Sequence, residues 1–113
     1  MRAYRTGDAL TLNALDPGVT GTTNTLLFRG ATPGERVLLT FGFMSGTTAI
    51  PPCPGLSLGI ASPRLRGSFT ADANGEIALV ADLGGRFSGL TVFAQALERR
   101  TCRLSNRVVM TLR

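Results

Sequence analysis

Turn signals break this chain about every ten residues, and that spacing limits the fold more than any other feature. They run from Asp16-Pro17-Gly18 through Thr32–Glu35, Pro51–Gly55 and Ser62–Arg64 to Asn74-Gly75 and Gly84-Gly85. Between them lie short stretches rich in Thr, Val, Leu and Phe, residues that suit a pleated, half-buried surface. Eight such stretches read as strands: 9–15, 25–30, 36–43, 56–61, 65–70, 76–82, 90–97 and 106–112. Several alternate as a strand with one buried face must. Val37, Leu39, Phe41 and Phe43 face one way, with Arg36, Thr40 and Gly42 opposite, and Val108, Met110 and Leu112 repeat the pattern. Many short strands with regular turns predict an all-β fold, an antiparallel sandwich or barrel of seven or eight strands.

One stretch reads two ways. In Leu90–Leu104, residues Leu90, Phe93, Ala94, Leu97 and Leu104 fall near helical spacing among good helix formers, so a helix competes with a strand there. The 113 residues suit a single domain, 1–113, with 43% hydrophobic residues to fill a core. Residues 1–7 form a candidate N-terminal arm, flexible or in contact with a neighbour. The longest nearly apolar run, Val37–Met44, is too short to cross a bilayer, and no signal-peptide core is seen at the start. All 12 basic residues are Arg, and the net charge of +5 favours acidic partners over basic ones.

The segment Asp72–Glu76 raises the question of a cation site. An EF-hand loop counted from Asp72 has Asn74 and Glu76 at its third and fifth positions. Ile77 and Leu83 then stand where the turn Gly and the bidentate Glu are required. Asn74-Gly75 between strand-like residues fits a hairpin turn instead, with a weak, irregular cation site at Asp72, Asn74 and Glu76 as the alternative. Cys53 and Cys102 are the two cysteines; without His or a C-x-x-C pair they are free thiols or one disulfide. An even count, with Cys53 in a Pro-flanked loop, suits the cross-link, which implies an oxidising compartment.

The absence of His and Lys leaves the serines and cysteines without an evident activating base. The seven acids lie mostly beside predicted turns, which argues against a paired-carboxylate hydrolase. The chain therefore reads as non-catalytic, with no cofactor and no metal. Arg99, Arg100 and Arg103, with Arg107 beyond, form the densest charge cluster, a candidate partner or anion contact because guanidinium forks match carboxylate, sulfate and phosphate. No aromatic residues are interleaved with them, which argues against nucleic acid.

Three stretches carry a likeness to a known family: "GATPGERVLLTF", "PCPGLSLGIASPRLRGSFTADANGEIALVADL" and "GLTVFAQALERRTCRLSNRVVMTL". They resemble the Ig-like β-sandwich modules of secreted and surface proteins of GC-rich bacteria. The motifs are a G-x-x-P-G turn at Gly30–Gly34, a T-A-D-A-x-G hairpin at Thr70–Gly75, a Q-A strand at Gly89–Ala96 and an L-S-N at Leu104–Asn106. The likeness spans roughly residues 25–113 and is specific for architecture rather than activity. It implies an Ig-like sandwich, a strand at 90–97, and an extracytoplasmic setting: secreted, cell-surface or periplasmic. It also implies a non-catalytic role as an adhesion, stalk or recognition module; with sparse aromatics and scattered acids, the chain itself reads as a structural or protein-interaction module, an accessory or scaffold subunit with a protein partner or copies of itself. The alternative is an adhesion module that binds carbohydrate or an acidic polymer, with Tyr4, Phe87 and Phe93 as the aromatic candidates.

Overall fold

A computed structural model describes residues 9–82 and 84–113; the arm expected at 1–7 lies outside them. The described chain forms ten strands: β1 (Thr11–Leu12), β2 (Thr23–Arg29), β3 (Arg36–Gly42), β4 (Ser45–Ala49), β5 (Ser57–Ile60), β6 (Arg64–Thr70), β7 (Ile77–Asp82), β8 (Thr91–Glu98), β9 (Arg103–Leu104) and β10 (Val108–Thr111). Short 3-10 turns occupy Gly85–Phe87 and Arg99–Thr101. Beyond the eight expected strands stand β4, a polar run of Ser, Gly, Thr and Ala, and the two-residue β9. The pairings between strands are antiparallel.

The first sheet has the order β1-β2-β7, the second β10-β8-β3-β6 with β9 added on β8, and β4 and β5 form a separate hairpin. Alternation explains how the two sheets meet. Leu26 and Phe28 of β2 point inward against Val37 and Leu39 of β3 and Ala94 and Ala96 of β8, forming one core. Phe28 is fully buried, 6.3 Å between ring centres from Phe69 of β6, and its burial contributes about 2 kcal/mol.

The helical alternative for 90–104 gives way to strands for a physical reason. The β4–β5 hairpin lies on the outer side of the second sheet, where Ile50, Cys53 and Leu58 pack on Leu97 in a second apolar cluster. Ala94 and Ala96 therefore face the main core while Gln95 and Leu97 face the hairpin. Ala94 to Glu98 are all buried, so this part of β8 has no solvent face and no alternation to display. The approach is close at Gly42, where a Cβ would lie 2.4 Å from the Ile60 side chain.

Cys53 and Cys102 are joined in a disulfide, with Cα atoms 5.5 Å apart, which fastens the hairpin's loop to the end of β8. Gln95 adds a polar tie: its Oε1 accepts from Gly59 N–H (2.9 Å) and its Nε2 donates to Ser105 C=O (2.9 Å).

Asn74-Gly75 forms a turn, but the hairpin reading needs correction. The flanking strands lie in different sheets, β6 paired with β3 and β7 with β2, so the turn carries the chain across the core. Positive φ is found at Gly75 (73°) and not at Asn74, which excludes a type I′ turn. Gly75 N–H instead closes a four-residue turn onto Asp72 C=O (3.0 Å), and Gly75 C=O accepts from Ala31 N–H (3.0 Å). A Cβ at Gly75 would sit 2.2 Å from the Ala31 carbonyl oxygen, so the docking of this turn requires glycine. The Asp72 carboxylate accepts from Asn74 and Glu76 N–H (2.9 Å each) and thus shapes the turn itself.

One flank of the two-sheet body is zipped shut. Asn106 exchanges two hydrogen bonds with the Leu12 backbone (2.9 Å each), and Arg113 pairs with Gly18 and Thr20 (3.0 and 2.6 Å). On the opposite flank β6 and β7 are edge strands among the described residues.

Candidate interaction surfaces and an apolar cleft

The arginines singled out from the sequence separate into two pairs. Arg103 donates to Gly30 C=O (2.7 Å) and Thr32 Oγ1 (3.2 Å) and lies 3.6 Å from the Glu98 carboxylate. Arg107 donates to Gly59 C=O (2.9 Å) and stands over the Phe93 ring at 5.3 Å, holding the hairpin down. Arg99 and Arg100 point outward from their 3-10 turn; Arg100 is 82% exposed and meets Glu35 at 3.4 Å, an ion pair of small energetic weight.

Glu98 is a fully buried ionisable group beside this cluster. Its carboxylate accepts from Thr32 N–H (2.6 Å), Thr32 Oγ1 (2.7 Å) and Thr101 Oγ1. Burial alone would raise its pKa. The hydrogen bonds from Thr101 and Thr32, with the charge of Arg103, outweigh burial and hold the carboxyl below its ordinary value. This network ties the G-x-x-P-G turn to the end of β8 beside the disulfide, which makes it a structural device.

The outer faces of the sheets differ. The second sheet is covered by the β4–β5 hairpin, whereas the first presents Thr25, Leu27, Ala78 and Val80 outward, with Val80 62% exposed. The two edge strands of the open flank differ too. β6 carries Arg64 and Arg66 and is bulged: Leu39 pairs with Gly67 and the next residue, Thr40, with Leu65, leaving Arg66 as the inserted residue. β7 pairs with β2 without interruption from Ile77 to Asp82, holds neither Pro nor a basic residue, and carries a charge only at its last residue, Asp82, so its outer edge is far less protected against strand addition.

Between the sheets, at the end away from the disulfide, is a cleft of about 160 Å³. Leu26 and Leu79 line it from the first sheet, Phe41 and Ala94 from the second, and Phe87 of the 3-10 turn caps it. Small residues on both sides, Ala81 and Ala94, leave the space unfilled. At its rim stand the half-exposed Phe43 and Arg66, the one charged residue of the lining. Sequence patterning assigned Phe41 and Phe43 to the core, but the cleft itself depends on how two sheets face each other and has no sequence signal. Of the aromatic candidates for a glycan face, Phe87 caps this cleft, Phe93 lies under Arg107, and Tyr4 falls outside the described residues.

Among the described residues no helix is long and apolar enough to cross a membrane. Compared with known proteins, the chain matches no family model, no curated protein and no solved structure.

Proposed function

We propose that this chain is an Ig-like β-sandwich that serves as a non-catalytic structural and protein-interaction module, an accessory or scaffold subunit of a larger assembly. The observation that carries this reading is the contrast between two neighbouring edges. β6 is guarded by a bulge and two arginines, while β7 is a regular six-residue edge beside an uncovered face of small and apolar residues. An edge of that kind takes a partner strand through its unpaired backbone groups, and Val80 and Ala78 supply apolar contact beside it. An extracytoplasmic setting is supported by the disulfide that uses both cysteines. The alternative, binding of a glycan or acidic polymer, rests on Arg99 and Arg100, which face solvent together.

The test is site-specific photo-crosslinking in the native source. A photoreactive residue at position 80 gives a discrete higher-mass adduct and one at position 64 gives none. Equal labelling at both positions, or no adduct at position 80, refutes the β7 contact.

A further inference from the structure

We propose that the inter-sheet cleft binds a small amphipathic carboxylate, an anion whose apolar body of roughly six to eight carbons fills the pocket while its carboxylate meets Arg66. This site is separate from the β7 contact and does not depend on it. The size follows from the volume: an engineered apolar cavity of about 150 Å³ stays dry and takes up benzene, and this cleft encloses about 160 Å³. A lining that is apolar apart from a single charged group matches the general composition of small-molecule sites, in which a few polar groups set the orientation.

The sign of the ligand follows from Arg66. Among the described residues no Asp or Glu lines the cleft, and the Arg66 side chain has neither an ion pair nor a hydrogen bond. A second guanidinium, Arg86, stands over the ring of the capping Phe87 at 5.1 Å. A guanidinium binds a carboxylate through two parallel hydrogen bonds, so the head group has a ready partner at the mouth.

The placement of Arg66 is a product of the backbone. As the inserted residue of the β6 bulge it breaks the alternation of the strand, and bulges re-aim side chains in this way near binding sites. A charge turned inward on an edge strand also deters strand pairing. The two roles make different predictions, because edge protection requires charge alone, whereas a binding site requires the cleft behind it.

Amide chemical shifts in the full chain, followed during titration with octanoate, octan-1-ol and octylammonium, separate them. Octanoate is expected to shift Phe41, Leu79, Phe87 and Ala94 with saturation; octanol binds about tenfold more weakly, and octylammonium leaves these amides unmoved. Arg66→Gln, at an exposed position that does not disturb the core, weakens octanoate about tenfold and leaves octanol unchanged. Ala81→Leu, which fills the cleft, abolishes both while amide dispersion shows the fold intact; if that variant unfolds, the Arg66→Gln and octylammonium arms decide alone. The proposal is overturned if octanoate leaves the cleft amides unmoved, if its shifts map instead to Arg99 and Arg100, or if Arg66→Gln binds octanoate as well as the parent chain.

Discussion

The two sheets share one core yet differ on their outer sides, and the difference shows what a third layer does to a strand. On the first sheet β2 keeps solvent on one side, and its burial alternates from Thr23 to Arg29. On the second sheet β8 is enclosed between core and hairpin, and alternation vanishes. Covering a sheet also places polar groups where water cannot reach. Gln95, Ser105 and Glu98 are all buried on or beside β8, and each has protein partners. The first sheet's outer face needs no such network. The disulfide and the hairpin-facing network thus belong to the covered sheet and the free surface to the bare one, whose own buried polar residue, Asn24 of β2, is held on the inner side by Gly18, Val19 and Thr22.

Removing the staple is the strongest way to break that contrast. The disulfide spans 49 residues in sequence, and a loop of that size corresponds to about 4 kcal/mol in the chain-entropy model. The double variant Cys53→Ala, Cys102→Ala is expected to lose about that much in denaturant unfolding. Its amide exchange should accelerate first in β4, β5 and the Arg99–Thr101 turn, while β2 and β7 change least. Equal acceleration in both sheets would show that the covering layer is not a separate cooperative unit.

The buried carboxylate sharpens the same comparison. Glu98→Gln removes a buried carboxylate that accepts from Thr32 and Thr101 and faces Arg103, and should cost about 3 kcal/mol, the scale seen when one partner of a buried pair is removed. The sign of the pH effect follows from the depressed pKa. The unfolded chain binds a proton at Glu98 more readily than the folded one, so the stability from this group is fully present above the ordinary carboxylate range. It is lost as pH falls from that range through the lowered folded value. Urea midpoints measured across that acidic window should fall for the parent chain and be flatter for the Gln variant. Parallel curves would mean that Glu98 contributes no linkage.

How much of this was legible in the sequence depends on which neighbours a residue has. Turns made by local chemistry could be read, as at Pro51–Gly55 and Asn74-Gly75, and so could strands with a solvent side, as β2 and β7. The strand at 91–98 was ambiguous because its outward residues meet a hairpin that folds over from residues 45–60. The hairpin at Asn74-Gly75 was misjudged because the partners of its flanking strands, β3 for β6 and β2 for β7, are distant along the chain and lie in different sheets. The four arginines were equivalent in the sequence. Arg103 and Arg107 became structural because Gly30 and Gly59, distant along the chain, bring carbonyls to them. The cleft was invisible for the same reason: Ala81 and Ala94 are unremarkable singly and leave a space only when the sheets bring both to the same cavity.

The smallest stability effect is expected on the bare face. Val80 is 62% exposed and faces away from both apolar clusters, so Val80→Lys removes little packing and should change unfolding free energy by no more than about 0.5 kcal/mol. The same substitution puts a cation on the face beside an edge that otherwise lacks one, the usual natural protection against strand addition. Stability and association should therefore separate: unchanged denaturant midpoints, together with loss of the parent chain's higher-mass species in sedimentation of the native complex. A loss of several kcal/mol would instead mean that the first sheet's outer face is part of the folded core's support, and the division between a covered, stapled sheet and a free, interacting one would fail.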